Sequence, residues 1–583
     1  MSDKTISQVL VDGLVAHGVG QVFGVVGDAL NSVTDAIRTT NGIEWVGVRH
    51  EEVAAFAAGA QAQITGNLGV CAGTVGPGSI HMLNGLYDAA KSHAPVLAIA
   101  GQVPLGEMNS NYFQEVDNDV LYRDVSVFTA TVTDAAQMPR LVEQAIEAAV
   151  SRRGVAVLSI PGDIGSLEVD VAPVRVFAGN PVMQPDPDLV TRAAELIDDA
   201  DKVTILAGIG SRTARRQVIA LAERLNAPIV STLKAKETYD WDNPYNLGQN
   251  GLIGNPAAAA AFDNCDLLLM IGTDFPYREW FPTNVTTIQI DAAAEHIGRR
   301  TNVEIGLVGD AGETVEALLP LLTTRHDADH LTGLHKKYDR WYERQLKLVD
   351  PAHDDSLIGS ARSALDNPQH RIRPEAVAHI AGELADDNAV FTTDTGMSTV
   401  WLSRFVHFRQ GQRLLGSFNL GSMANAMPQA IGVQALDRSR QVIAFCGDGG
   451  FTMLLGDLLT AVSEELPIRI IVFDNQSLGM VKLEQEQAGL PEFGTTLHNP
   501  DLAAVATAMG ATGIRITEPD DLRAGIQQAF ANDGPVVVDI LTNPNEIIIP
   551  SEPSPAQAWG FAIAKIKEAI RSRGDDEADS LSE

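Results

Sequence analysis

Cysteine is scarce in this chain: Cys71, Cys265 and Cys446 are the only three among 583 residues, far apart and each in or beside an apolar run. That spacing excludes a disulfide framework and a CxxC metal pattern, so all three read as buried thiols. Basic residues are also few, 42 against 75 acidic ones, for a formal net charge of −33. With no basic stripe to displace counterions, nucleic acid is excluded as a partner. An anionic substrate would meet local rather than global attraction. No apolar run reaches the about 18 residues of a membrane-spanning helix. The opening MSDKTISQVLVDGLVAHG is an amphipathic pattern containing acids, unlike a secretory signal. A cytoplasmic location is therefore expected.

What the chain has is alternation. Its length suffices for three or four domains, and 45% apolar content with alternating strand and helix patterns predicts an α/β protein. Residues 1–180 carry apolar strands at 22–26, 44–48, 69–72, 96–100 and 155–160. Past the proline-rich NPVMQPDP, a second block over 188–345 has strands at 203–206, 229–231, 267–271 and 287–290. A third, over 370–545, has strands at 390–393, 442–445, 468–473 and 536–540. Each block predicts a doubly wound parallel sheet. A tail over 550–583 places Trp559, Ile563, Ile566 and Ile570 on one helical stripe before the acidic end GDDEADSLSE.

The densest signal is CGDGGFTMLLGDLLTAVSEELPIRIIVFDNQSLG, residues 446–479. An apolar strand breaks at a Gly-Asp-Gly-Gly turn; a helical segment and a second apolar run follow, ending at Asp474-Asn475. A right-handed crossover sets the carboxyl ends of two such strands side by side. Asp448 and Asn475, 27 positions apart, then meet at one crevice. A carboxylate and an amide oxygen suit a hard divalent cation. The glycines let backbone approach a phosphate, and the helix N-terminus favours its charge. A Mg²⁺-diphosphate anchor is predicted; the plainer reading is a βαβ unit with a tight turn. In the first block, WVGVRHEEVAAFAAGAQAQITG sets a strand before a helix opening at His50-Glu51-Glu52, with Val53, Phe56, Ala57 and Ala60 on its buried face. Taken alone, Glu51 and Glu52 complement the helix dipole.

The GDG, its spacer and the following Asp474-Asn475 resemble the diphosphate motif of thiamine-diphosphate enzymes, whose usual pair is Asn-Asn. The second position, the family's metal ligand, is retained. The resemblance covers nearly the whole chain and is nearest to the pyruvate oxidase and pyruvate:quinone dehydrogenase branch. It is carried by RHEEVAAFAAGAQAQ (49–63), GPGSIHMLNGLYDA (76–89), YFQE (112–115), GLIG (251–254), FPYR (275–278) and LLGSFNLGSMANAMPQAIG (414–432).

This resemblance implies three sheet domains (pyrimidine-binding, FAD-binding and diphosphate-binding) and three cofactors: thiamine diphosphate, Mg²⁺ and FAD. Asp448, Asn475 and the Ser477 carbonyl would hold the metal, with Gly449, Gly450, Leu478, Gly479, Met480 and Val481 around the diphosphate. Gly396 and Met397 would meet the aminopyrimidine, and Gly421, Ser422 and Met423 would cup the cofactor's middle. Glu51 aligns with the acid that contacts the aminopyrimidine nitrogen, while His81, Phe113 and Gln114 would line the substrate site. In the central block, Gly208 and Gly210 lack a third fingerprint glycine (Thr213 stands there), which disfavours a nicotinamide site. FAD is implied instead by Gly251, Leu252, Ile253 and Gly254, by Thr273, Asp274, Phe275, Pro276 and Tyr277, and by Asp291. The residues alone read Asp291 as a helix N-cap.

The implied reaction is oxidative decarboxylation of pyruvate to acetate and CO₂, with electrons passing through FAD to a membrane quinone, ubiquinone or menaquinone. Met480 stands where relatives often carry an aromatic, and Glu484 lies four residues on. One subunit's pyrimidine domain would face another's diphosphate domain, implying a homotetramer built from dimers. The tail implies peripheral contact with the cytoplasmic face of the cell membrane; its plainer reading is a helix packed on the protein's own surface. Alternatives are a phosphate-dependent, oxygen-reducing pyruvate oxidase, an acetolactate synthase, and a catalytically silent relative. Intact Glu51, Asp448 and Asn475 argue against the last.

Overall fold

The computed structural model describes residues 4–170, 172–176, 182–350, 367 and 369–546. The first block contains β1 (Lys4–Thr5), β2 (Gln21–Gly24), β3 (Glu44–Gly47), β4 (Gly69–Gly73), β5 (Val96–Gln102), β6 (Ser126–Thr131), β7 (Val155–Pro161) and β8 (Glu168–Val169). Six of these form a parallel sheet in the order β3-β2-β4-β5-β7-β6, and β1 pairs antiparallel with β8. The second contains β9 (Val203–Ala207), β10 (Ile229–Ser231), β11 (Leu267–Ile271), β12 (Thr286–Asp291) and β13 (Ile305–Val308), ordered β10-β9-β11-β12-β13. The third contains β14 (Val390–Thr393), β15 (Arg413–Gly416), β16 (Val442–Gly447), β17 (Arg469–Asp474), β18 (Thr512–Ile516) and β19 (Val536–Leu541), ordered β15-β14-β16-β17-β19-β18.

These are the three parallel-sheet α/β units that the apolar runs predict. The central strands are buried on both faces and read as near-continuous Val, Ile, Leu and Ala. β6, β13, β15 and β18 have no counterpart among the strands expected from sequence, and all four are sheet edges. An edge strand pairs on one side only and carries a shorter apolar run, as Arg413–Gly416 shows. Every sheet has a point where the strand order reverses near one edge: between β2 and β4, β9 and β11, and β14 and β16. Loops leaving the carboxyl ends diverge there and open a crevice, the usual ligand position in open parallel sheets.

The blocks are fastened to one another by buried contacts. Helix Glu51–Thr65 of the first packs on helix Ala426–Leu436 of the third so closely that a Cβ on Gly432 would lie 2.3 Å from the Ala57 carbonyl. Gln61 Nε2 donates to the Gly432 carbonyl at 3.0 Å across this seam. One ion pair joins all three blocks. Arg413 Nε donates to Glu237 Oε1 at 2.8 Å, and Glu237 Oε2 accepts from the Leu414 backbone N–H. The same guanidinium donates to the carbonyls of Ile64 and Gln63, each at 3.2 Å, at the carboxyl end of helix Glu51–Thr65. A cation there also meets the negative end of the helix dipole. The described helices include none long and apolar enough to cross a membrane. The 550–583 tail and its apolar stripe lie outside the described residues.

Because the Glu237 carboxylate is buried, removing Arg413 leaves it only the more distant Arg212 guanidinium, 3.7 Å away, as a cationic partner. Arg413→Met should cost up to about 3–5 kcal/mol and lower the melting temperature in differential scanning calorimetry; an unchanged transition would contradict the three-way role.

Candidate cofactor and cation site

The crevice between β14 and β16 opens into a cavity of about 230 Å³. β16 runs to Gly447, and helix Asp448–Met453 starts on the next residue. The Gly-Asp-Gly-Gly turn expected from sequence is thus a direct strand-to-helix junction. The crossover that follows is broken into short helical pieces before β17. β16 and β17 pair with Gly447 opposite Phe473, so Asp448 and Asn475 leave adjacent strands side by side. Gln476 adopts φ +58°, a left-handed turn that brings Asn475 and Ser477 onto the same wall. The Ser477 N–H donates to Asn475 Oδ1 at 3.0 Å and fixes the amide.

Thirteen residues predicted for this site line the cavity: Gly396, Met397, Gly421, Met423, Asp448, Gly449, Gly450, Asn475, Ser477, Leu478, Gly479, Met480 and Val481. Glu484 joins them from the helix Gly479–Gln487. Ser422 does not. Its hydroxyl instead accepts from Asn84 Nδ2 at 2.9 Å, and Asn84 also donates to Glu52 Oε1 at 2.7 Å. Ser422 is therefore held toward the first block, and the same Asn84 amide links it to Glu52. Asp394 at the end of β14 was missed by sequence reasoning and lies in the cavity wall.

Glu51 sits elsewhere, as does the expected substrate group. Glu51 is 7% exposed at the start of its helix, and its Oε2 lies 3.0 Å from His81 Nδ1. His50 stacks on His81 with ring centroids 4.5 Å apart. Gln114 has φ +65°, and its carbonyl would be 2.8 Å from a Cβ on Gly76, in the turn before helix Pro77–His81. Phe113 beside it is 79% exposed. None of Glu51, His81, Phe113 and Gln114 lines the cavity.

The central-block residues gather at the carboxyl edge of the second sheet. Gly208 and Gly210 are packing glycines: a Cβ on Gly208 would lie 2.2 Å from the Gly272 carbonyl, so the loops after β9 and β11 could not both close. Gly251, at φ +97°, lets its loop approach Phe275, whose ring meets Tyr277 edge-on at 5.5 Å. Leu252 follows in that loop, and Arg404 of the third block donates to the Ile253 and Gly254 carbonyls, each at 3.3 Å. The Thr273 hydroxyl accepts from the Phe275 N–H at 3.2 Å, ahead of Pro276. Asp274 accepts from Lys234 Nζ at 2.8 Å and from Asn419 Nδ2. Burial pushes its carboxyl up, but Lys234 outweighs this and holds it below its ordinary value. Asp291 is not the N-cap that the sequence indicated. Its carboxylate closes an Asx turn by accepting from the Ala293 N–H at 2.9 Å, and it faces His296 Nδ1 at 3.1 Å.

Comparison with known proteins agrees with this geometry. Residues 4–121, 190–318 and 394–540 match, in turn, the N-terminal TPP binding domain, the central domain and the C-terminal TPP binding domain of thiamine pyrophosphate enzymes. The chain belongs to this family. It is 37% identical over 572 residues to a putative thiamine pyrophosphate-containing protein, YdaP, of Bacillus subtilis, covering 97% of this chain and 96% of that one. A pyruvate oxidase of Lactiplantibacillus plantarum is 30% identical over 576 residues (97% and 91% covered). An acetolactate synthase of Mycobacterium bovis is 31% identical over 584 residues (97% and 90% covered).

The cavity fits what a thiamine pyrophosphate (thiamine diphosphate) enzyme must hold. Gly450 is required by space: a Cβ there would lie 2.3 Å from Asp394 Oδ2. Burial and the neighbouring Asp474 carboxylate both push the Asp448 carboxyl up, a cost that a bound cation would offset. The described residues contain no cluster of three His, Cys, Asp or Glu side chains able to hold a metal. A carboxylate joined by amide and carbonyl oxygens matches the preference of Mg²⁺, not of zinc.

Asp394 sets a pH dependence. Burial raises its carboxyl from 3.8 to about 7, although Oδ1 accepts from the Ala426 N–H at 2.9 Å. With the folded value above the unfolded one, its stabilisation is full below pH 3.8 and is lost as pH climbs through about 7. At about 1.4 kcal/mol per tenfold, the loss is up to roughly 4 kcal/mol. In the cofactor-free protein, Asp394→Asn should flatten the fall of melting temperature between acid and neutral pH; an equally steep fall would contradict this.

Proposed function

We propose that this enzyme decarboxylates pyruvate oxidatively to acetate and CO₂ and passes the electrons through FAD to a membrane quinone. The observation that carries the reading is the convergence of Asp448, Asn475 and Ser477 on one glycine-floored cavity. Pyruvate enters from the name of the pyruvate oxidase relative. FAD is supported by the glycine loops and Asp274 at the switch point of the second sheet, beside Asn419 of the third block. Contact with the cytoplasmic face of a membrane through residues 550–583 belongs to the same reading.

Thiamine diphosphate, when bound, supplies the carbon nucleophile for the keto carbon of a 2-oxo acid and takes up the electron pair released with CO₂. The chain's residues hold and orient it. Asp448, Asn475 and the Ser477 carbonyl would ligate Mg²⁺, and the Gly449 and Gly450 backbone lets the diphosphate approach. Glu51 would hold a proton at the aminopyrimidine nitrogen, with His81 at its other oxygen fixing the carboxylate's direction.

Glu51 stands outside the cavity of its own chain, so the reading requires a second subunit to complete the site. Exposed apolar side chains flank both halves. Ile80, Tyr112 and Phe113 surround the first-block group, while Met453, Val481, Leu490 and Phe493 lie in or next to the third-block loops. Burying such patches favours association, here as a homotetramer of dimers.

Anaerobic mixing of the protein, Mg²⁺, thiamine diphosphate and FAD with pyruvate should bleach the flavin, and a quinone analogue rather than air should restore its colour. Phosphate-dependent oxygen uptake would transfer the protein to the pyruvate oxidases. Acetoin after acid treatment, without bleaching, would make it an acetolactate synthase. Glu51→Gln should lose about 10²–10⁴-fold in turnover, the usual weight of a positioned proton-transfer group, while Glu52→Gln retains it. Near-normal turnover by the Glu51 variant would remove the assignment.

A further inference from the structure

Loop 495–501 lies over the carboxyl ends of β16 and β17. It is fixed by the Leu478 N–H donating to the Thr495 carbonyl and the Leu497 N–H donating to the Gln476 carbonyl, each at 2.8 Å. An isolated bridge also pairs Ser477 with Thr496. The loop delivers Asn499. Its Nδ2 donates to Asp448 Oδ2 at 2.7 Å and to Asp474 Oδ1 at 2.8 Å. One amide nitrogen carries two hydrogens, and each finds a different carboxylate. Both acids are almost wholly buried, and among the described residues neither forms a salt bridge.

The remaining bonds of the two acids show what the amide accomplishes. Asp448 Oδ1 accepts from the Gly449 N–H at 2.9 Å, and Oδ2 accepts from the Gln476 N–H at 2.8 Å. Asp474 Oδ2 is buried with no hydrogen-bond partner. Two neighbouring carboxylates repel strongly at low dielectric. A neutral amide bridging them fixes their separation but leaves their charge uncancelled. That charge lies against the wall where Asp448 and Asn475 face the cavity.

We propose that Asn499 is a positioning residue for the cation site, locking Asp448 and Asp474 into one rigid anionic cradle for a hard divalent cation. The inference rests on the reading of the cavity as a cation-diphosphate site and deepens it. Asp448 is the ligand, Asp474 adds a second negative charge behind it, and Asn499 sets the ligand's direction. Residues that orient metal ligands in this way typically contribute 10–100-fold in affinity.

The test is Mn²⁺ binding to the full-length, chelator-stripped protein with thiamine diphosphate present, followed by electron paramagnetic resonance in the cold. Wild type should bind; failure there would remove the cation-diphosphate reading itself rather than the role of Asn499. Asn499→Leu, close in shape but without the amide, should bind Mn²⁺ about 10–100-fold more weakly while its circular dichroism is unchanged. Wild-type affinity in a folded Asn499→Leu protein would overturn the proposal, whatever happens to its melting temperature, because a mere loop fastener would change stability and not affinity. If Asn499→Leu does not fold, Asn499→Ala, which removes the amide without adding bulk, decides: Mn²⁺ binding weakened about 10–100-fold in the folded protein supports the cradle, and wild-type affinity overturns it.

Discussion

The parallel pairing of β16 with β17, register Gly447 to Phe473, is the constraint on which the site depends. It sets two residues distant in sequence at neighbouring strand ends. It also requires the chain to leave both strands through backbone too tight for ordinary side chains. Gly450 has no room for a methyl group, and Gln476 is driven to positive φ. Such strain persists only where surrounding structure over-determines it. Here that structure is the buried sheet below and loop 495–501 above.

A second constraint acts between blocks. Parallel sheets need cover on both faces, and the first and third share part of theirs: helices Glu51–Thr65 and Ala426–Leu436 contribute to one buried apolar cluster. The polar links cross the same seams. Glu237 and Arg413, Asp274 with Lys234 and Asn419, and Asn84 with Ser422 each tie different blocks together. The first block's acid, the second block's glycine loops and the third block's cavity are thus held by one framework. Family membership follows from matches to all three blocks.

Much of this was legible in the sequence because burial on both faces writes long apolar runs, which mark the central strands of all three sheets. The glycine-acid junction after β16 was legible for a related reason, since few residue types tolerate that backbone. Four of the six edge strands of these sheets were not, because a half-covered strand such as Thr512–Ile516 needs only a weak pattern. Long-range polar partners left no local trace either. Asn499 and Asp448 are 51 residues apart, Arg413 and Glu237 176, and Asn84 and Ser422 338. Nothing near an asparagine in a polar loop announces that its amide will bridge two buried acids. Asp291 shows the opposite error: a residue with an obvious local signal turned out to serve its own turn and a histidine.

The direct test of the central claim is anomalous diffraction from crystals grown with Mn²⁺ and thiamine diphosphate. One manganese peak should lie within ligand distance of the Asp448 carboxylate and the Asn475 amide oxygen, bridging to the diphosphate. Manganese bound elsewhere, or a diphosphate seated away from the Gly449-Gly450 junction, would contradict it.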